Sequence, residues 1–238
     1  MKTLEGIALS NVQDVYNGPE GVLWELVMGE QIHIGGFKSS MDLADKAAIA
    51  PGMSGIDFCC CNGAGMRFLV KFKNVEKMIG VDATSTVVAQ GISRCAKEGL
   101  SDKIQFVLAD VCNSGLPDAS ADFVWGEDAW CYVVNKPKLI SEAVRLTKPG
   151  GTIAFTDWVE GATPMTDAET HRFLTFMKFP NILNIAEYSD LLKKNSCTML
   201  KAEDTAMMQM LAGEMIFIQK LAHEGKIAQG LFVARKAE

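Results

Sequence analysis

The sequence predicts an α/β fold: a seven-stranded, mainly parallel sheet with helices on both faces and a helical N-terminal cap. Three observations carry this. From residue 55 onward, short apolar runs alternate with amphipathic ones, the pattern of parallel strands joined by crossover helices. The first run ends in an acid and a stretch of small residues, Gly55-Ile56-Asp57-Phe58-Cys59-Cys60-Cys61-Asn62-Gly63-Ala64-Gly65-Met66. The second, Lys77-Met78-Ile79-Gly80-Val81-Asp82, ends on another acid.

Taken in order, strands are expected at 55–60, 77–82, 104–108, 121–126 and 152–157. Residues 85–97 read as the helix between the second and third strands, and 137–147 as the helix between the fourth and fifth. Lys148-Pro149-Gly150-Gly151 stops that helix and turns the chain. Beyond Asp157 the pattern loosens. Residues 161–164 form a loop, and 167–176 and 185–194 read as helices with Pro180 between them. A sixth strand is expected at 198–206 and a seventh at 230–235. Between them, Met207, Met210, Leu211, Met215, Ile218 and Leu221 recur at helical spacing, read as core filler. The opening stretch shows no strand pattern. Its helices are expected over the carboxyl ends of the strands, where open α/β sheets bind ligands. The expected organisation is one domain over 1–238, with a cap at 1–50, a ligand-binding core at 51–157, and lid helices with the last strands at 158–238.

With 48% hydrophobic and 22% charged residues, the chain has the apolar content for a sizeable core. A net charge of −6 argues against an extended nucleic-acid surface. No apolar run reaches the length of a membrane span, and the first residues lack the apolar core of a signal peptide. Seven cysteines, three of them adjacent, form neither a CxxC pair nor a Cys/His alternation. That argues against a zinc site or a disulfide framework and for a reducing, cytoplasmic setting.

A strand that passes into a helix through small residues lets backbone N–H groups approach a nucleotide-like ligand. An acid at the end of the next strand stands at the right remove to accept ribose hydroxyls. Asp57, the small-residue turn and Asp82, in that order, point to a nucleoside cofactor.

The order of signals over 55–157 resembles the class I S-adenosylmethionine-dependent methyltransferases, a Rossmann-like family, and 230–235 looks like that family's last strand. Narrower motifs are similar to its small-molecule members, the sarcosine/dimethylglycine, phosphoethanolamine and tocopherol methyltransferases. These are Asp14-Val15-Tyr16-Asn17, Leu23-Trp24-Glu25 and Gly29-Glu30-Gln31-Ile32-His33-Ile34-Gly35, with Val124-Trp125-Gly126-Glu127-Asp128-Ala129 after the fourth strand. The resemblance implies S-adenosylmethionine as cofactor. It implies that Asp57 orients the turn or meets the cofactor's amino group, and that Cys59, Cys61 and Gly63 present backbone to its methionine part. Asp82 would accept the ribose hydroxyls, and Ala83 would touch the adenine. Asp110 and Val111 would hold the adenine edge, and Glu127 would offer its backbone to the methionine ammonium. Ile34 and Gly35 would close over the cofactor from the cap.

Three positions depart from the family pattern. Cys59 and Cys61 stand where its turn has glycines. A Cβ makes left-handed dihedrals cost of order 1 kcal/mol, so the turn is expected to use negative φ or to shift. Tyr132 stands where the amine methyltransferases often carry a histidine. A phenol, with a pKa of about 10, is a poor base at neutral pH.

Methyl transfer from a sulfonium is a direct displacement. It needs aligned reactants and excluded water, and neither a metal nor a nucleophilic side chain. Tyr16, Asp128 and Tyr132 are the candidate acceptor-site residues. Asp128 would draw a cationic acceptor, with Trp24 or Trp130 as a cation–π wall. His33 is expected at the pocket border or in a structural hydrogen bond. The expected function is methyl transfer to a small polar acceptor, an amine first. The alternatives are C- or O-methylation, or a degenerate fold kept for ligand binding; a nicotinamide-dependent oxidoreductase is the rival enzyme class. No nucleic-acid or membrane partner is expected, and a homodimer stays open.

Overall fold

The computed structural model describes residues 1–205 and 216–236. Strand β1 (Lys2–Thr3) precedes three cap helices, α1 (Leu9–Asn17), α2 (Pro19–Met28) and α3 (Gly36–Lys46). Strands and helices then alternate: β2 (Ser54–Phe58), α4 (Ala64–Phe72), β3 (Lys77–Asp82), α5 (Ser85–Lys97), β4 (Ile104–Leu108), β5 (Ala121–Glu127), α6 (Lys136–Leu146) and β6 (Thr147–Glu160). The last elements are α7 (Asp167–Met177), β7 (Asn181–Asn184), α8 (Ile185–Lys194), β8 (Cys197–Asp204), α9 (Ile216–His223) and β9 (Ile227–Lys236).

The main sheet runs β4-β3-β2-β5-β6-β9-β8, parallel from β4 to β6, with β9 antiparallel between β6 and β8. This is the expected seven-stranded, Rossmann-like sheet. Its central strands are buried on both faces, so they read as continuous apolar runs rather than alternating ones. On one face Leu139, Ile140 and Ala143 of α6 and Leu192 of α8 pack on Phe58, Val124 and Phe155. On the other, Leu43 of α3 and Met66 and Leu69 of α4 pack on Met78, Phe123 and Trp125. Each fully buried side chain of this size contributes roughly 1.5–3 kcal/mol. The helix starts at 167 and 185 follow from capping boxes, Thr166 with Glu169 and Asn184 with Glu187.

Two features differ from the sequence expectation. β6 begins at Thr147, directly from α6, so Lys148–Gly151 is an irregularity within the strand. The β5 partner advances from Ala121 to Phe123 while β6 advances from Thr147 to Thr152, and Gly150 takes φ 73° in the extra length. Second, β7 and β1 are strands the pattern did not show. β7 joins β6 in parallel at Val159 and Glu160, beyond the point where β5 ends, and β1 pairs antiparallel with β7. At four and two residues, neither is long enough to display a period. Most of the Met-rich stripe lies outside the described residues, as does Ala206. What is described there is α9, whose Leu221 is fully buried. Among the described residues no helix is long and apolar enough to cross a membrane.

Candidate active site

The carboxyl ends of β2, β3 and β5 and the loop after β4 surround a cavity of about 280 Å³, roofed by α1 and residues 30–33 of the cap. Of the residues expected at a cofactor, Asp57, Cys59, Cys61 and Asp82 line it around the turn. Ala83, Asp110 and Val111 line it beyond β3 and β4, and Glu127 lines it at the end of β5. Tyr16, Asp128 and Tyr132 lie on the same wall. Gly63, Ile34 and Gly35 are not on its surface. Gly63 caps α4 with φ 77°, where a Cβ would sit 2.6 Å from the Phe106 ring. Gly35 caps α3 with φ 81°.

The turn after β2 keeps its left-handed residues despite the cysteines, with φ 57° at Cys59 and 48° at Cys61. The expected shift to negative φ does not occur, because hydrogen bonds hold both residues. Cys59 and Cys60 donate their N–H groups to Val81 O at 2.8 and 3.3 Å. Cys61 N–H donates to Asp82 Oδ2 at 2.9 Å, while Asp82 Oδ1 accepts Thr84 N–H at 2.8 Å. Asp82 therefore braces the turn and still has lone pairs for a ligand. Burial pushes up the thiols of all three cysteines, that of Cys61 to about 12, so they stand as neutral thiols rather than nucleophiles.

Two acids lie close together beneath α4. A Cβ added to Gly65 would meet Glu127 Oε2 at 2.5 Å and Asp57 Oδ2 at 3.4 Å, so glycine makes room for both. Burial, then the charges of Glu127 and Asp82, hold the Asp57 carboxyl well above the usual carboxylate range.

The cap is tied to these strand ends by buried polar contacts. Glu127 Oε1 accepts Ser40 Oγ at 2.6 Å and lies 3.3 Å from His33 Nε2. Asp128 leaves β5 with φ 50°, and its Oδ2 accepts Ile34 N–H at 2.8 Å. Gln229 of β9 donates to the same carboxylate at 2.9 Å, and its own amide oxygen accepts the Thr205 hydroxyl. Asp128 is 6% exposed and committed to the cap. It still lines the cavity, but its carboxylate oxygens are taken up by Ile34 N–H and the Gln229 amide. Gln13 of α1 donates to Ala83 O at 2.7 Å, and the buried Arg67 donates to Asn62 O of the turn at 2.6 Å and to Glu30 of the cap at 3.1 Å.

Tyr16 and Tyr132 meet edge to face, hydroxyls 3.4 Å apart and ring centroids 5.8 Å apart. Burial raises both phenols above their ordinary values, so neither is a base at neutral pH. The expected cation–π wall is not on the cavity. Trp130 is fully buried and stacks on Phe155 at 4.1 Å, while Trp24 packs, partly buried, against the apolar cluster that includes Ile34, Trp158 and Phe173. Leu9, Val12, Val133 and Val134 line the cavity instead. Tyr132 and Lys136 stand four residues apart, as an oxidoreductase pair would, but the Lys136 ammonium bonds backbone carbonyls and the Tyr132 hydroxyl faces Tyr16.

The sequence reading missed Gln229, Ser40 and Lys136. Gln229 had a signal, a lone polar residue in the apolar run Ile227-Ala228-Gln229-Gly230-Leu231. Among the described residues no cluster of three or more His, Cys, Asp or Glu is placed to hold a metal.

The fold is similar to that of solved methyltransferases, and residues 56–155 match the methyltransferase domain family. The chain is 25% identical to phosphoethanolamine N-methyltransferase 1 of Arabidopsis thaliana over 89% of its length and 42% of that protein's. It is 26% identical to sterol 24-C-methyltransferase of Eremothecium gossypii over 82% of its length and 55% of that protein's. It thus spans about half the length of these curated relatives. Among solved structures, phosphoethanolamine N-methyltransferase 2 of Haemonchus contortus, in complex with S-adenosyl-L-methionine, superposes with a TM-score of 0.84. That match has 16% identity over 98% of this chain and 61% of the other.

Proposed function

We propose that the cavity binds S-adenosylmethionine and that the protein transfers its methyl group to a small molecule. The observation that carries this reading is Asp82, whose carboxylate closes the left-handed turn at Cys61 and faces the cavity with acceptor capacity to spare. The residues present fit the cofactor. Asp82 would take the ribose hydroxyls, Ala83 and Val111 the adenine, and Asp110 its amino group. The buried acids Asp57 and Glu127 would face the methionine ammonium. Bound there, the cofactor supplies an electrophilic methyl group on a sulfonium. The protein's part is to align the acceptor and exclude water.

The acceptor end is read as the space beside Tyr16 and Tyr132. The neutral phenols favour an acceptor that arrives without a proton to lose or gives it to water. An amine fits in its free-base form, and a carbon acceptor would have to give up a proton to water after transfer; the relatives named for phosphoethanolamine and sterol fall on those two sides. Incubation with methyl-labelled S-adenosylmethionine and a panel of ethanolamine, sarcosine, sterol and phenol acceptors tests the reading. Label transfer to one acceptor class, abolished by Asp82→Ala, supports it. Cofactor binding with no transfer to any class would favour a ligand-binding role.

A further inference from the structure

Lys136, at the first position of α6, is 1% exposed, and lysine is almost never so deeply buried without a partner. Its Nζ donates to Val133 O at 2.6 Å and to Cys131 O at 3.3 Å. Asp157, fully buried on β6, holds the same segment. Its Oδ1 accepts Cys131 N–H at 2.9 Å, and its Oδ2 accepts the Tyr188 hydroxyl from α8. The 3-10 turn Trp130–Tyr132 is thus held on its N–H and its carbonyls by two buried charged groups from different elements.

The start of α6 does not need the ammonium. Asn135 caps the helix by accepting Lys138 N–H at 3.0 Å, and Pro137 suits its first turn. A buried charge costs several kcal/mol to desolvate, a cost that an apolar side chain of the same length would avoid. Burial draws the Lys136 ammonium down to about 8 and pushes the Asp157 carboxyl up to about 6, while the attraction between the two opposes both shifts.

The held turn carries Tyr132. Its ring meets Tyr16 of the cap on one side and Phe179 on the other, at centroid distances of 5.8 and 5.0 Å. We propose that Lys136 and Asp157 are positioning residues that set Tyr132 against Tyr16 and so shape the acceptor end of the cavity. The assignment of that end to an acceptor rests on the function proposed above; the grip on the turn does not.

The chain has three tyrosines, Tyr16, Tyr132 and Tyr188, and all three belong to this cluster or its clamp. Tyrosine-selective 13C NMR therefore reads it with three signals, assigned by single Tyr→Phe variants. Lys136→Met keeps the chain length and removes the ammonium. It should move the Tyr132 and Tyr16 signals by more than a linewidth in a protein that is still folded. A purely structural role would lower the melting temperature and leave both signals in place, and that result overturns the proposal. A parallel pair does not depend on Lys136→Met folding. Asp157→Asn retains an oxygen for Cys131 N–H and should leave Tyr132 where it is, whereas Asp157→Ala should move it. Equal signals in those two variants would likewise overturn the proposal. The signals are read without ligand, so failure of S-adenosylmethionine to bind would sink the proposed function and leave this test standing.

Discussion

Replacing Asp128 tests whether the cap is latched as described. Its carboxylate is the acceptor for two buried donors, Ile34 N–H and the Gln229 amide. Alanine removes both bonds, leaving Ile34 N–H unpaired and the Gln229 amide with Ile34 O alone at 3.3 Å; at about 1–3 kcal/mol for each lost buried partner, Asp128→Ala should destabilise by about 2–5 kcal/mol. That is a large share of a typical total of about 5–15 kcal/mol. Asparagine separates the hydrogen bonds from the backbone. It tolerates the left-handed conformation that Asp128 adopts at φ 50° and keeps one acceptor oxygen. Asp128→Asn should therefore lose about half as much, about 1–3 kcal/mol. Urea unfolding at pH 7 gives the totals, and amide exchange at residues 33–36 shows whether the loss falls on the cap. An Asp128→Ala protein within about 0.5 kcal/mol of the parent, with unchanged exchange at Ile34, would refute the latch.

Cys59→Gly and Cys61→Gly, where the family has glycine, should each stabilise the protein by about 1 kcal/mol by relieving a left-handed Cβ, as read by thermal unfolding. Asp57 carries its proton to unusually high pH because it is buried beside Glu127 and Asp82. A bound ammonium favours the ionised form, so S-adenosylmethionine binding should release protons and weaken as pH falls through the raised pKa of Asp57. Calorimetry in buffers of different ionisation heat measures that release, and Asp57→Asn should abolish it. Burial also raises Asp157 to about 6, so its proton is bound more tightly in the folded state than in the unfolded chain. By that sign its contribution to stability should rise as pH drops from 7 toward 4, a slope missing from Asp157→Asn.

The strands that hold the site were readable because they are buried on both faces, so their apolar runs stand out without alternation. The turn and Asp82 were readable from residue type and spacing. Asp128 and Trp130 were not, because sequence places a side chain at a strand end without saying which neighbour claims it. Asp128 faces a cap that arrives from residue 34 and a strand that arrives from residue 229, and both contacts are remote in sequence. Trp130 drops into the core because its short turn directs it onto Phe155. Lys136 had the look of a surface charge on a helix start. Only the carbonyls of Cys131 and Val133, brought around by the 3-10 turn, give its buried ammonium a place.

The central claim is that the cavity around Asp82 is a cofactor site for S-adenosylmethionine. Isothermal calorimetry of the parent and Asp82→Ala with S-adenosylmethionine, S-adenosylhomocysteine and NAD tests it directly. One equivalent of each adenosyl ligand should bind and NAD should not. The variant, still folded, should lose roughly 2–3 kcal/mol of affinity, the loss expected for a charged hydrogen-bond acceptor. Binding of NAD in preference, or equal affinity of parent and Asp82→Ala for S-adenosylmethionine, would contradict the account.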